Sequence, residues 1–135
     1  MDTQESRLAE VLDELSLEGG WNDRYRLLVG WGEALELLED AECVPGTEVA
    51  GCSSPLWLKT WWEDGILRVK GSTPGILPKA LLALVIRLFD GLASVSGSPE
   101  DILGPLDMKR NLSPTRYVVL ENMIRQALTC PRTWG

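Results

Sequence analysis

The chain has 135 residues, 44% of them hydrophobic, and its 20 acidic side chains outnumber 13 basic ones for a net charge of -7. That length fits one domain, residues 1–135 with a core over about 21–128, able to bury roughly two thirds of its unfolded surface; the acidic balance excludes a nucleic-acid partner, which needs clustered Lys and Arg. Histidine is absent, which removes the usual proton carrier of peptidase-type and acyl-transfer sites.

Leu8, Val11, Leu12 and Leu15 recur at helical spacing and predict a first helix with a narrow apolar stripe, stopped by Gly19-Gly20. A second helix is expected from Trp21, with Asn22 as N-cap and Tyr25, Leu28, Val29, Leu35 and Leu38 on its buried face. Residues 39–46 read as a loop turned by Pro45-Gly46. The period then changes to two. Residues 47–50 predict a short strand, and 56–62 and 66–71 two more, joined through Glu63-Asp64-Gly65 as a hairpin. Leu56, Leu58, Thr60 and Trp62 should face one way, and Trp57, Lys59 and Trp61 the other. Residues 77–89 are apolar nearly all round and predict a central buried helix with Pro78 in its first turn. Ser98-Pro99-Glu100-Asp101 and Ser113-Pro114-Thr115-Arg116 each open a further helix with an N-cap and a proline at the first position; Leu120, Ile124, Ala127 and Leu128 turn the last one toward the core. Helices, then strands, then helices imply an α+β fold: two layers, a small antiparallel sheet of about three strands with helices packed on one face.

The chemistry concentrates on Cys52. It follows Gly51, which permits a tight bend and close approach of another backbone, and precedes Ser53, Ser54 and Pro55, which bring two hydroxyls and a fixed exit. The expected position is the bend between adjacent strands. Without an imidazole, a thiol that attacks carbon is poorly served, whereas one that attacks sulfur needs only some thiolate, access and a good leaving sulfur. An ordinary thiol is about 3% ionised at neutral pH, so backbone N–H groups or Lys and Arg nearby would assist. Cys43 falls in a loop and Cys130 near the C-terminus; the cysteine spacings match no paired zinc ligands. No glycine-rich nucleotide motif is present, so no internal cofactor and no metal are expected. Six tryptophans supply packing for the sheet, or an apolar wall that shields a reactive sulfur at Cys52. Three cysteines with an acidic, polar N-terminus predict a reducing, cytoplasmic setting, or plastid stroma after loss of a transit peptide. The longest apolar run, 80–86, falls far short of the roughly 20 residues that span a bilayer, so no membrane association is expected.

Four blocks carry a family resemblance. Trp21-Asn22-Asp23-Arg24-Tyr25, then Gly51-Cys52-Ser53-Ser54-Pro55-Leu56-Trp57-Leu58, then Lys79 with residues 81–90, then Leu112-Ser113-Pro114-Thr115-Arg116 resemble, in order and spacing, the motifs of the SufE family. These SufE and CsdE proteins are the sulfur-acceptor partners of cysteine desulfurases in iron-sulfur cluster assembly. The resemblance implies a SufE/NifU-like fold and a sulfurtransferase-like persulfide carrier rather than a stand-alone enzyme. Cys52 would take sulfur from a SufS- or CsdA-like desulfurase, whose pyridoxal phosphate stays with that partner, stimulate it, and pass the sulfur to a SufB-like scaffold. Gly51, Ser53 and Ser54 would shape the loop, and Arg116 would position the loop or the partner. The chain departs from the family pattern at Ser72 and Pro74, at Ala80, at Tyr117-Val118-Val119, and by an insertion over 91–97. Two other readings remain open: an iron-sulfur scaffold of IscU or NifU type using Cys43 or Cys130 as ligands, and a non-catalytic regulator that binds a desulfurase.

Overall fold

The computed structural model describes residues 2–16, 19–49 and 54–132. Five helices and one hairpin follow in order: α1 (Gln4–Ser16), α2 (Trp21–Glu33), β1 (Trp57–Glu63), β2 (Ile66–Ser72), α3 (Ile76–Phe89), α4 (Pro99–Leu106) and α5 (Pro114–Leu128). Two 3-10 turns, Asp40–Glu42 and Pro45–Thr47, lie between α2 and β1. The α+β class and two-layer packing match the sequence expectation. No helix among the described residues is long and apolar enough to cross a membrane.

The hairpin is decided at its turn. Asp64 and Gly65 both take positive φ, 52° and 77°, the type I′ geometry whose twist matches the flanking strands. Glu63 therefore pairs with Ile66, and the register runs antiparallel to Trp57 opposite Ser72. One face, with Leu58, Leu67, Val69 and Gly71, is buried. Against it lies α3, whose Ala80, Leu81, Leu82, Ala83, Leu84 and Val85 are all buried. Each large aliphatic side chain placed there stabilises the fold by about 1.5–3 kcal/mol relative to exposure. Gly71 permits this packing, since a Cβ there would stand 2.5 Å from Leu82 Cδ1 and 2.7 Å from the Trp57 carbonyl oxygen.

Among the described residues the sheet has two strands rather than three. Pro45 opens a 3-10 turn through Thr47, whose hydroxyl donates to the Glu42 carbonyl at 2.8 Å and receives the Val44 N–H at 3.3 Å. These local bonds use the residues expected to start a strand, and what remains is one antiparallel bridge, Glu48 to Trp57. Ala50, the expected end of that strand, lies outside the described residues. The far edge of β2 is covered instead. Leu67 exchanges backbone bonds with Gly91 and Leu92 at 2.8 Å each, the Asp90 carboxylate receives the Val69 N–H at 2.9 Å, and the Gly71 carbonyl receives the Leu38 N–H at 3.1 Å. Leu67, Val69 and Gly71 thus each find a partner on that edge without another strand.

Leu35 and Leu38 also depart from expectation, because α2 stops at Glu33. The Ala34 N–H closes on Gly30, and the chain then runs extended so that Leu38 is buried beside β2. The helix starts at Trp21 on Gly20, not on an Asn22 cap. At Gly32 α2 meets α3 closely, with the place of a Cβ only 3.0 Å from the Lys79 carbonyl carbon and oxygen. Helix α1 is held to the end of α3 by Arg7, whose guanidinium donates to the Arg87 and Asp90 carbonyls at 2.8 Å, a cation on the exposed carbonyls of a helix C-terminus.

Candidate functional site

Of the residues expected to form the site, Gly51, Cys52 and Ser53 lie outside the described residues. Their flanks are described, and they are pinned on both sides. On entry, Val49 is buried and donates its N–H to the Leu56 carbonyl at 2.7 Å, next to the Glu48–Trp57 bridge. On exit, Leu56 is fully buried, and the Pro55 carbonyl accepts the Thr73 hydroxyl at 2.7 Å. Thr73 is 2% exposed, the one buried polar residue in the described core. Its oxygen also receives the Gly75 N–H at 3.4 Å, so a single side chain ties the exit of the Cys52 segment to the start of α3. Buried polar groups persist where they are hydrogen-bonded. Thr73 meets that requirement.

Ser54 is half-buried. Its hydroxyl lies 3.2 Å from where a Cβ on Gly75 would stand, so glycine there leaves room for the loop's exit against α3. Trp57, the first residue of β1, is half-buried on the sheet face turned away from α3.

Arg116 sits in the first turn of α5, its N–H received by the Ser113 hydroxyl at 3.3 Å. A cation there opposes the helix dipole, so its placement needs another reason, and the neighbourhood supplies one. Tyr25 on α2 donates its phenol proton to the Asn111 carbonyl. Burial pushes the Tyr25 pKa up, while the positive charge of Arg116 pulls it back down. Trp21 lies 5.8 Å from the Tyr25 ring, and Arg24 stacks on Trp21 at 5.4 Å. The first and fourth motif blocks of the sequence therefore meet in space. No hydrogen bond among the described residues joins Arg116 to Ser54, so the geometry groups Arg116 with Tyr25.

Cys130 is on a strapped segment rather than a loose tail. Its carbonyl accepts the Trp62 indole N–H at 3.0 Å, and Arg132 covers the Trp62 ring at 3.7 Å while donating to the Ala93 carbonyl at 2.7 Å. Cys43 is half-buried, its thiol directed to the Glu39 carbonyl at 3.6 Å. Neighbouring Glu42 is held below the usual carboxylate range chiefly by the hydrogen bond from Lys59, whose ammonium stands 2.6 Å away. Thr73 was missed by sequence reasoning. A threonine before a Pro-Gly helix start carries no spacing signal; only the fold brings it to Pro55.

The family model for SufE, the Fe-S metabolism associated domain, matches residues 9–129. The chain belongs to the SufE family. It is similar to an uncharacterised SufE-like protein of Rhizobium etli, 29% identical over 132 residues that cover 88% of this chain and 85% of that one. A second uncharacterised SufE-like protein, from Rhizobium meliloti, is 28% identical over 126 residues, 88% of this chain and 90% of the relative. The solution structure of a hypothetical protein from Thermus thermophilus superposes with a TM-score of 0.72 over 90% of each chain at 19% identity, a likeness of fold. Membership in SufE ties the chain to iron-sulfur metabolism.

Proposed function

We propose that Cys52 is a sulfur acceptor: it takes sulfane sulfur from the persulfide of a cysteine desulfurase, and so stimulates that enzyme. The Cys52 thiolate attacks the terminal sulfur of the partner's Cys–S–SH. The partner's S–S bond breaks as the Cys52–S bond forms, and the partner cysteine leaves as thiolate. The new persulfide then passes its outer sulfur to an acceptor thiolate on a SufB-like scaffold by the same exchange. No proton carrier, metal or external reductant is required in either step, which agrees with a chain that has no histidine. Pyridoxal phosphate, which forms the first persulfide, belongs to the partner.

The observation that carries this reading is the frame around residues 50–53. Both flanks are bonded, buried Val49 to Leu56 on one side and exposed Pro55 to Thr73 on the other, so only a short span of chain separates two fixed points. A span that short can present one side chain to a partner without loosening the core. Glycine at 51 lowers the barrier to that movement.

Incubation with a cysteine desulfurase and cysteine tests the proposal. The Cys52 peptide should gain the mass of one sulfur, removable by a thiol reductant, and Cys52→Ser should neither gain it nor stimulate the enzyme. If Cys52→Ser stimulates as wild type does, the acceptor role is wrong.

A further inference from the structure

We propose that the groove between α4 and α5 is a docking surface for an amphipathic helix of a protein partner that carries apolar side chains together with Lys or Arg. The groove measures about 560 Å³. Leu103, 1% exposed, lies in its floor, and Pro114, Tyr117 and Val118 of α5 form a wall. Val118 is 47% exposed although it is a large aliphatic residue beside the core.

Gly104 supplies the sharpest observation. It stands inside α4, where glycine weakens a helix relative to alanine. Gly32 and Gly71 are required by the backbone and side chains that crowd them, but a Cβ on Gly104 would meet nothing within 4 Å. Pro105 follows it inside the helix and favours a glycine there, since a Cβ before a proline is crowded in the helical region, but no neighbour from elsewhere in the described chain occupies the space. The missing side chain leaves an open trough above Leu103, of the kind into which a helix lays one apolar face at i, i+3 and i+4 anchors.

Charge selects the occupant. Glu100, Asp107 and Glu121 rim the groove against Lys109 alone. Burial pushes the Tyr117 pKa up, and Glu121 and Glu100 push it further, so the field at the wall is negative. That field repels nucleic-acid phosphates and anionic lipid and favours a cationic segment. The apolar side chains would supply affinity, and the rim charges orientation and encounter rate.

A fluorescent amphipathic peptide of Leu and Lys, with a Leu and Glu counterpart as control, tests this on the full chain. The Leu/Lys peptide should bind saturably, and backbone amide shifts should concentrate at Gly104, Tyr117 and Val118. Glu100→Lys with Glu121→Lys should weaken binding about tenfold or more. Gly104→Leu should weaken it comparably, because it fills the trough, with a urea titration and the amide spectrum showing that the variant is folded; a folded protein that no longer binds is the decisive result. The proposal is overturned if no saturable binding occurs, if the shifts fall on the acidic faces of α1 and α2, or if Gly104→Leu binds as wild type. It is equally overturned if the same amides shift on raising protein concentration alone, which would make a second copy the occupant. None of these outcomes depends on Cys52.

Discussion

Replacing Thr73 by valine tests whether the tether on the Cys52 segment is real. The side chain is 2% exposed and donates to Pro55 at 2.7 Å. Valine keeps the shape and deletes the donor; Pro55 is exposed, so water can reach its carbonyl and the cost is the net worth of one hydrogen bond, about 0.5–1.5 kcal/mol. Serine keeps the donor and deletes a methyl, which costs about 0.8 kcal/mol. Both variants therefore lose stability, but only valine frees the exit of the segment. If exposing the Cys52 thiol requires this bond to open, losing a net 1 kcal/mol or so raises the open population about fivefold. Iodoacetamide labelling followed by peptide mass spectrometry should show Cys52 reacting about fivefold faster in Thr73→Val and at the wild-type rate in Thr73→Ser, with urea titrations in parallel. Equal acceleration by the two variants, or a destabilised Thr73→Val with unchanged labelling, refutes the reasoning.

In the free wild-type protein, Cys52 should be alkylated more slowly than Cys130 and faster once a desulfurase is added; a free-thiol rate at Cys52 with no partner present would disprove a sheltered resting state. Gly32→Ala should cost about 1–3 kcal/mol, because the new Cβ would stand 3.0 Å from the Lys79 backbone, offset by at most about 1 kcal/mol of helix propensity; a urea midpoint at or above wild type would contradict this. The chain's two tyrosines both have raised pKa values, chiefly through burial. Groups that hold their protons more tightly when folded contribute stability that is complete below the unfolded value near 10 and is lost as pH rises through the folded values. Absorbance titration should place both phenols above 10 in the folded protein, and Tyr25→Phe should flatten the alkaline loss of stability while costing roughly 1 kcal/mol at neutral pH. A Tyr25→Phe protein with the same alkaline slope would show that the burial of this phenol is not its source.

The sequence by itself determined the elements whose cause is local. The Asp64-Gly65 turn, the proline-opened helices at Ser98 and Ser113, and the all-apolar stretch of α3 each stand where turn geometry, capping and periodicity put them. Cys52 was singled out in the same way, by its neighbours and by the missing histidine. What needed the tertiary structure was every feature made by residues distant in the chain. The third strand gave way to a bridge because Thr47 makes its bonds locally, and the outer edge of β2 is completed by Leu38, Asp90 and Leu92 instead. Leu35 and Leu38 leave the helix because the backbone beyond Gly32 turns to run beside β2. Arg116 joins Tyr25, and Thr73 joins Pro55, 18 positions away. Hydrophobic periodicity reports which face of an element avoids water, but not which partner completes a buried hydrogen bond. That choice depends on where packing brings the two chain segments together, and here it decides that Thr73 meets Pro55.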